Sequence, residues 1–226
     1  MFYSFMKKSI IFGSILVAAL SLASCENSKN GGNLTINAKV VNGALYNDFV
    51  DEVRAVGTVR TTWYNITIAT GTYKNGGFKL KLTDEIDERL YNNYFDFSVL
   101  PSGLTVTNTA IKSVWVDYFE AYRKNVYAGS LYHNDGLYTS PHIKSNRIPP
   151  GITTTSVSYL YVDADVKCTG SYIDEKYGVP LSTKVDMDLK KGWNTVYLIK
   201  EEASETLTTK KPDVELKWWY RGGMAI

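Results

Sequence analysis

The chain has 226 residues, of which 44% are hydrophobic and 21% are charged, a composition typical of a folded protein with a sizeable core. Its 25 basic and 23 acidic side chains nearly balance, and Lys or Arg never occurs in a run longer than two. Because nucleic acids are recognised through a basic field or patch, this pattern disfavours a nucleic-acid partner.

The first 24 residues have the order of a secretory signal. Lys7 and Lys8 form a positive patch, residues 10–22 form an apolar stretch, and Ala23 and Ser24 are small. A helix that crosses the bilayer core needs about 20 apolar residues, which this stretch does not supply. The segment therefore predicts export and removal rather than a permanent transmembrane anchor.

The residues Leu22, Ala23, Ser24 and Cys25 resemble the lipobox of bacterial lipoproteins. The resemblance implies that the Cys25 thiol is diacylated, that the chain is cleaved before Cys25, and that the new amine is acylated. Residues 26–33 are polar and contain two adjacent glycines, which predicts a flexible tether. We expect an exported protein held on the cell envelope by its lipid, with the outer membrane as the favoured location.

Strand-like runs alternate with turn signals in the first half of the chain. Apolar side chains occupy every second position from Leu34 to Val40, which predicts a strand with one buried face. The runs 61–73 and 78–82 flank the sequence KNGG at 74–77, whose residue types supply the positive φ angles of a tight turn. These runs predict a β-hairpin.

One short helix is predicted near residues 83–91. Thr83 can cap its N-terminus, four acidic residues lie in its early turns, and Ile86 and Leu90 share a face. A functional acidic cluster is the alternative interpretation. Complementarity to the helix dipole explains the same carboxylates without a functional site.

The second half contains a long alternating run. Leu160, Val162, Ala164, Val166 and Cys168 occupy every second position, with polar residues between them, which predicts one long strand with Cys168 pointing inward. A buried cysteine of this kind acts as a small hydrophobic residue rather than as a reactive thiol. Cys168 is the only cysteine left once Cys25 is modified, so no intramolecular disulfide is expected.

A second alternating run, residues 185–189, is followed by a turn signal at Lys191 and Gly192 and by the strand-like run 193–199. The sequence LKKGWNTV at 189–196, with YVDADVKCTGSY before it, resembles a hairpin that recurs in uncharacterised β-sandwich lipoproteins of the Bacteroides type. The resemblance implies an all-β fold and an envelope location, and it transfers no catalytic residue.

The mature part of the chain, residues 34–226, is predicted to be an all-β antiparallel sandwich of the immunoglobulin or transthyretin kind. Residues 139–156 hold three prolines and many hydroxyl side chains, which is typical of a long loop. A break there or near 101–110 leaves two tandem sandwiches as an alternative. The last predicted strand is 214–220.

Motifs for catalysis and metal binding are absent from the sequence. His133 and His142 are the only histidines, no HExxH or paired-cysteine motif is present, and GxSxG, P-loop and GxGxxG patterns are also missing. We therefore expect no metal, no cofactor and no enzymatic activity. The pairs Asp163 with Asp165 and Asp186 with Asp188 keep a carboxylate-based, glycan-active enzyme as an alternative, although the lysines between them favour a solvated strand face.

Aromatic residues are abundant, with five tryptophans and 17 tyrosines. Tyr159, Tyr161 and Trp219 fall on the polar faces of their predicted strands, where exposed rings can stack on sugar faces. These three are the candidate ligand-binding residues. We expect a non-enzymatic envelope lipoprotein that binds a glycan or a protein, with a subunit of a fimbria-like assembly as the structural alternative, because lipidated transthyretin-like sandwiches resemble those of Bacteroides-type pili.

Overall fold

The computed structural model describes residues 32–137, 148–174 and 180–222. The signal segment, Cys25, most of the tether and His142 lie outside these ranges, so their predicted roles stay predictions. Within the ranges the chain forms 14 strands and two single turns of 3₁₀ helix, at Gly43–Tyr46 and Glu88–Leu90. No helix among these residues is both long enough and apolar enough to cross a membrane.

The strands in chain order are β1 Leu34–Lys39, β2 Glu52–Thr58, β3 Asn65–Lys74, β4 Gly77–Leu82, β5 Leu104–Val106, β6 Ser113–Val116, β7 Phe119–Arg123, β8 Val126–Asn134, β9 Thr154–Val162, β10 Val166–Asp174, β11 Leu181–Leu189, β12 Gly192–Lys200, β13 Ser204–Thr208 and β14 Lys217–Gly222.

Hydrogen bonds join these strands in the order β1-β4-β3-β2-β7-β8-β9-β12-β13-β11-β10-β5, while β14 pairs with β8 and β6 pairs with β9. Neighbouring strands run antiparallel except β11 and β13, which run parallel. The all-β, antiparallel, sandwich-like fold predicted from the sequence is therefore confirmed.

Strands β6, β9 and β12 form a middle layer with a hydrophobic core on each face. Along β9, Tyr159 and Tyr161 belong to a first core shared with β1–β4, β7, β8 and β14, whereas Leu160 and Val162 belong to a second core shared with β10 and β11. Along β12, Trp193 and Tyr197 belong to the first core and Val196 belongs to the second. A strand buried on both faces has a near-continuous apolar sequence, as in the VSYLYV segment of β9.

The long strand predicted around residues 160–169 is wrong, because a turn at residues 163–165 divides it into β9 and β10. The alternating pattern persists because Val162 and Val166 face the same second core from two different layers. In the turn, the Asp163 carboxylate accepts a hydrogen bond from the backbone N–H of Lys112 (3.0 Å), and the Asp165 carboxylate accepts one from Lys191 (2.8 Å).

Cys168 points inward, as predicted, and is fully buried in the second core. Burial among apolar groups raises the pKa of its thiol to about 11. The thiol therefore stays protonated and unreactive in the folded protein.

Residues 189–196 do not form the hairpin that the resemblance implied. β13 lies between β11 and β12, so the turn at Lys190 and Lys191 carries the chain from one layer to another. The Asn194 side chain holds this turn: it accepts from the Lys190 N–H (2.9 Å) and donates to the Lys190 carbonyl (2.7 Å). Gly192 has a φ of 101°, which a residue with a side chain rarely adopts.

The β3–β4 hairpin is confirmed. Its two-residue loop is Asn75 and Gly76, which have φ angles of 54° and 73°, the pattern of a type I′ turn. The first predicted strand is also confirmed, since its alternate residues from Leu34 to Val40 are buried.

The helix predicted near residues 83–91 is wrong, because only the 3₁₀ turn Glu88–Leu90 forms. Asp87, not Thr83, caps this turn, and its carboxylate accepts from the Arg89 N–H (3.0 Å). The Thr83 carbonyl, which would begin the helical hydrogen-bond ladder, instead accepts from the Trp193 indole N–H (2.6 Å).

Candidate functional site

The aromatic surface predicted from Tyr159, Tyr161 and Trp219 is not formed. Tyr159 is 2% exposed and Tyr161 is 5% exposed, because the face of β9 that the sequence marks as polar lies against the first core. Tyr159 stacks on Phe119, with ring centroids 5.6 Å apart, and Tyr161 packs edge-on against Trp193 at the same distance. Neither tyrosine can stack on a sugar in this fold.

Trp219 is half-buried rather than exposed. It lies opposite Tyr132 across the β14–β8 pair, and its ring covers the backbone of Gly136 so closely that a Cβ there would lie 2.6 Å from Cζ2 of the indole. Its indole N–H is buried and has no hydrogen-bond partner among residues 32–137, 148–174 and 180–222.

The carboxylate pairs considered from the sequence have structural partners. Asp163 and Asp165 bind backbone N–H groups in the β9–β10 turn region. Asp186 forms an ion pair with Lys210 (2.7 Å), which lowers the pKa of that carboxyl group, and Asp188 forms one with Lys190 (3.0 Å). No group of three or more His, Cys, Asp or Glu in the described ranges can hold a metal ion.

A cleft of about 310 Å³ opens beside the N-terminal half of β9. This volume lies at the lower end of the range for small-ligand sites. The aromatic and charged side chains of its lining come from β6, β8, β12, β13 and two loops, and they are Tyr94, Trp115, Asp117, Tyr118, Tyr132, His133, Lys200 and Glu205.

The residues of β9 explain where the cleft begins. Ser156, Ser158, Leu160 and Val162 share one face of the strand; Leu160 and Val162 belong to the second core, whereas Ser156 and Ser158 line the cleft. The two serines remain as a polar floor beyond the edge of that core. The exchange of aliphatic for hydroxyl side chains along one strand face therefore places a cavity there.

Asp117 lies between β6 and β7 at this floor. Its Oδ1 accepts hydrogen bonds from the Trp115 indole N–H and from the Ser158 hydroxyl (2.8 Å). The Asp117 side chain is exposed to water in the cleft, but the protein atoms packed around its carboxylate still raise its pKa by desolvation, against the opposing effects of both donors and of Lys200. In the part of the chain that the structure describes, no donor binds Oδ2.

Two pairs of aromatic rings form the walls. Tyr94 and Trp115 have ring centroids 5.6 Å apart and planes inclined by 31°, and Tyr118 and Tyr132 have centroids 5.7 Å apart and planes inclined by 33°. Tyr94 is 72% exposed and forms the outer rim. The cleft thus presents apolar ring faces around a carboxylate oxygen.

Further polar groups complete the lining. The Lys200 Nζ lies 3.8 Å from the Glu205 Oε2, and the Glu205 carboxylate also accepts a hydrogen bond from the Thr183 hydroxyl (3.1 Å). The amide nitrogen of Asn134 is buried and has no hydrogen-bond partner among the residues the structure describes. Such an unused donor is costly unless a bound molecule or water satisfies it.

His133 also lies at the cleft, although its sequence surroundings are polar. Its ring stacks on Trp218 with centroids 4.8 Å apart, and its Nδ1 lies 3.3 Å from the Tyr159 hydroxyl. These contacts make His133 part of the first core.

Sequence reasoning missed the cleft, although its walls come from a recognisable segment. The residues from Trp115 to Phe119, WVDYF, place one acid among bulky apolar residues, and an acid in such a setting is a signal for a functional carboxylate. Comparison with protein-family models, with curated proteins and with solved structures finds no match to this chain.

Proposed function

We propose that this chain is a non-enzymatic cell-envelope protein, attached to the membrane by a lipid on Cys25, that binds a ligand in the cleft around Asp117. We further propose that this ligand is an uncharged glycan. The membrane part of the proposal rests on the signal segment and on the lipobox-like residues Leu22–Cys25.

The observation that carries the glycan proposal is the pairing of aromatic walls with a carboxylate floor. A sugar ring has one apolar face of C–H groups and a rim of hydroxyl groups. The exposed ring of Tyr94 and the half-buried rings of Tyr118 and Tyr132 suit the first, with the buried Trp115 ring behind Tyr94, and Asp117 Oδ2 and the Asn134 amide suit the second.

Charge favours a neutral ligand. Among the described residues of the lining, Asp117, Glu205 and Lys200 are the ionisable acid and amine groups, and this set has no concentrated positive charge for a phosphate or sulfate. Glu205 already forms an ion pair with Lys200 and accepts a hydrogen bond from the Thr183 hydroxyl. It is therefore a poor candidate for the second carboxylate of a glycosidase.

A screen of the detergent-solubilised full chain on an array of neutral and charged glycans tests the proposal. We expect binding to neutral glycans, weakened by Tyr94→Ala and by Asp117→Asn. Phe49→Ala is the matched control, since Phe49 is 62% exposed and precedes β2 at the end of the β2–β3 pair remote from the cleft. Unchanged binding in both cleft variants would refute the proposal, and release of shorter sugars from the bound glycan would refute its non-enzymatic part.

A further inference from the structure

We propose that the tip of the β2–β3 hairpin, residues 59–64, is a second aromatic subsite that continues the cleft. The glycan is then a chain longer than the cleft, an oligosaccharide or a polysaccharide segment. This inference rests on the proposed function, because it names the class of glycan that the same site binds.

Trp63 at this tip is unusual in both exposure and backbone conformation. Its side chain is 80% exposed, and its φ of 57° lies in the left-handed region. Glycine or asparagine normally fills such a position, and a bulky residue there is an outlier. The tip holds this conformation through hydrogen bonds from the Val59 N–H to the Tyr64 carbonyl (2.9 Å) and from the Trp63 N–H to the Val59 carbonyl (2.8 Å).

The fold itself does not need a tryptophan at this position. The indole is largely in solvent, and the loop hydrogen bonds use only backbone atoms, so a smaller residue would serve the turn better. Strained and exposed residues of this kind concentrate at binding sites, where the side chain has a use that offsets the strain.

The tip adjoins one wall of the cleft through Asn65. The Asn65 side chain accepts from the Thr58 hydroxyl (2.8 Å) and donates to the carboxylate of Glu120 (2.8 Å), which is two residues from the wall residue Tyr118. Trp63 is two residues from Asn65, a separation that spans about 7 Å at most.

The tip is also bonded to the segment that leads to the other wall. The Arg89 guanidinium donates to the Tyr64 hydroxyl (2.8 Å), and Arg89 is anchored by an ion pair with Asp87. Arg89 begins the short segment that leads to Tyr94 at the cleft rim. A sugar chain leaving the cleft between its two walls therefore meets Trp63 and Tyr64 next.

Insertion of Trp63 into the membrane is the competing use of an exposed indole, and the geometry disfavours it. Gly32 is docked at the start of β12, since its N–H donates to the Lys191 carbonyl (2.8 Å) and its carbonyl accepts from the Trp193 N–H (3.1 Å). From there β12 runs nine residues to Lys200 in the cleft, a distance of about 27 Å. A lipid on Cys25 therefore holds the opposite end of β12 near the bilayer.

Calorimetry of the full chain with neutral oligosaccharides of one to eight units, in the linkage that binds best on the array, tests the inference. The variant is Trp63→Gly, which suits the left-handed backbone and is expected not to lower the unfolding temperature. We expect affinity to rise with length in the unaltered protein. In Trp63→Gly we expect unchanged affinity for the shortest ligand and up to about tenfold weaker binding of the longest. Phe49→Gly should behave like the unaltered protein.

The outcomes separate the two proposals. If Trp63→Gly keeps the full rise of affinity with length, the subsite is refuted while glycan binding in the cleft stands. If no oligosaccharide binds the unaltered protein, the proposed function fails and the subsite fails with it. If a blue shift of tryptophan fluorescence appears on mixing with phosphatidylethanolamine–phosphatidylglycerol vesicles and disappears in Trp63→Gly, Trp63 contacts lipid and the inference is overturned.

Discussion

At the floor of the cleft, the Asp117 carboxylate accepts hydrogen bonds that favour its charged form, while desolvation by the surrounding protein atoms opposes that form. Because this desolvation raises its pKa above the ordinary value of 3.8, the folded protein binds this proton more tightly than the unfolded chain does. The free energy of unfolding therefore falls as the pH rises from 3.8, the pKa of Asp117 in the unfolded chain, to its higher pKa in the folded protein. Above the folded-state pKa the loss is complete.

Asp117→Asn is expected to remove this pH dependence while keeping an oxygen that can accept from Trp115 and Ser158. The free energy of unfolding of the unaltered protein should fall, relative to that of the variant, as the pH rises above 3.8. Denaturant titrations at several pH values measure the difference. Asp87→Asn is a control of opposite sign, because Arg89 lowers the pKa of Asp87 to about 2. Parallel pH profiles for Asp117→Asn and the unaltered protein would contradict the prediction.

Cys168→Ser is expected to destabilise the protein by about 1–3 kcal/mol, because it buries a hydroxyl group among apolar side chains of the second core. Cys168→Ala removes only one heavy atom and should cost less than the serine. Urea denaturation gives both values. A serine variant as stable as the unaltered protein would mean that this position is not enclosed.

At the scale of the element, β9 determines both the cores and the cleft. Its alternation of Tyr159 and Tyr161 with Leu160 and Val162 supplies side chains to two cores, and its two serines form the cleft floor. A substitution on either face of β9 should therefore reduce the packing of the whole middle layer.

Tyr159→Ala and Leu160→Ala should each lower the free energy of unfolding by more than about 2 kcal/mol, because both side chains fill well-packed cores. Thr70→Ala on the exposed side of β3 is a control expected within about 0.5 kcal/mol of the unaltered protein. Thermal or denaturant unfolding distinguishes these cases. A small effect of Tyr159→Ala would indicate a two-layer sandwich with a solvated outer face.

The β3–β4 hairpin and β1 could be predicted because their signals are local, namely the Asn75–Gly76 turn and the strict alternation from Leu34 onward. The division of β9 from β10 could not, because alternation continues unchanged when a chain turns from one layer to another around the same core. The acid of the WVDYF segment is a local signal for the cleft, but its cavity could not be predicted, since that depends on where the second outer layer ends over β9.

At the scale of the whole molecule, the two cores are not independent, because β6, β9 and β12 contribute to both. Residues 32–116 supply most of one outer layer, yet the middle layer that covers it comes largely from residues after 154. A fragment that ends before β9 therefore leaves the first core open on one side.

Membrane attachment is predicted to depend on Cys25 alone. Cys25→Ser should move the protein from the membrane fraction to the soluble fraction, while the unfolding temperature stays unchanged because Cys25 lies nine positions before Leu34, where β1 begins. Fractionation with immunoblotting, together with mass spectrometry of the mature protein, measures the result. Cys168→Ser is the control and should stay with the membrane. An unmodified Cys25 in the purified protein would refute the lipid anchor.

The docking of Gly32 beside Lys191 and Trp193 has a consequence for how tightly each cleft has to bind. Only about seven residues separate a lipid at Cys25 from that point, so the protein would diffuse in a thin layer over the membrane with its clefts facing outward. A polymer with repeated units would meet several copies at once, and binding of the first would raise the effective concentration of the next. Weak individual sites would then suffice for firm capture of a long chain, and each would still release a short one quickly.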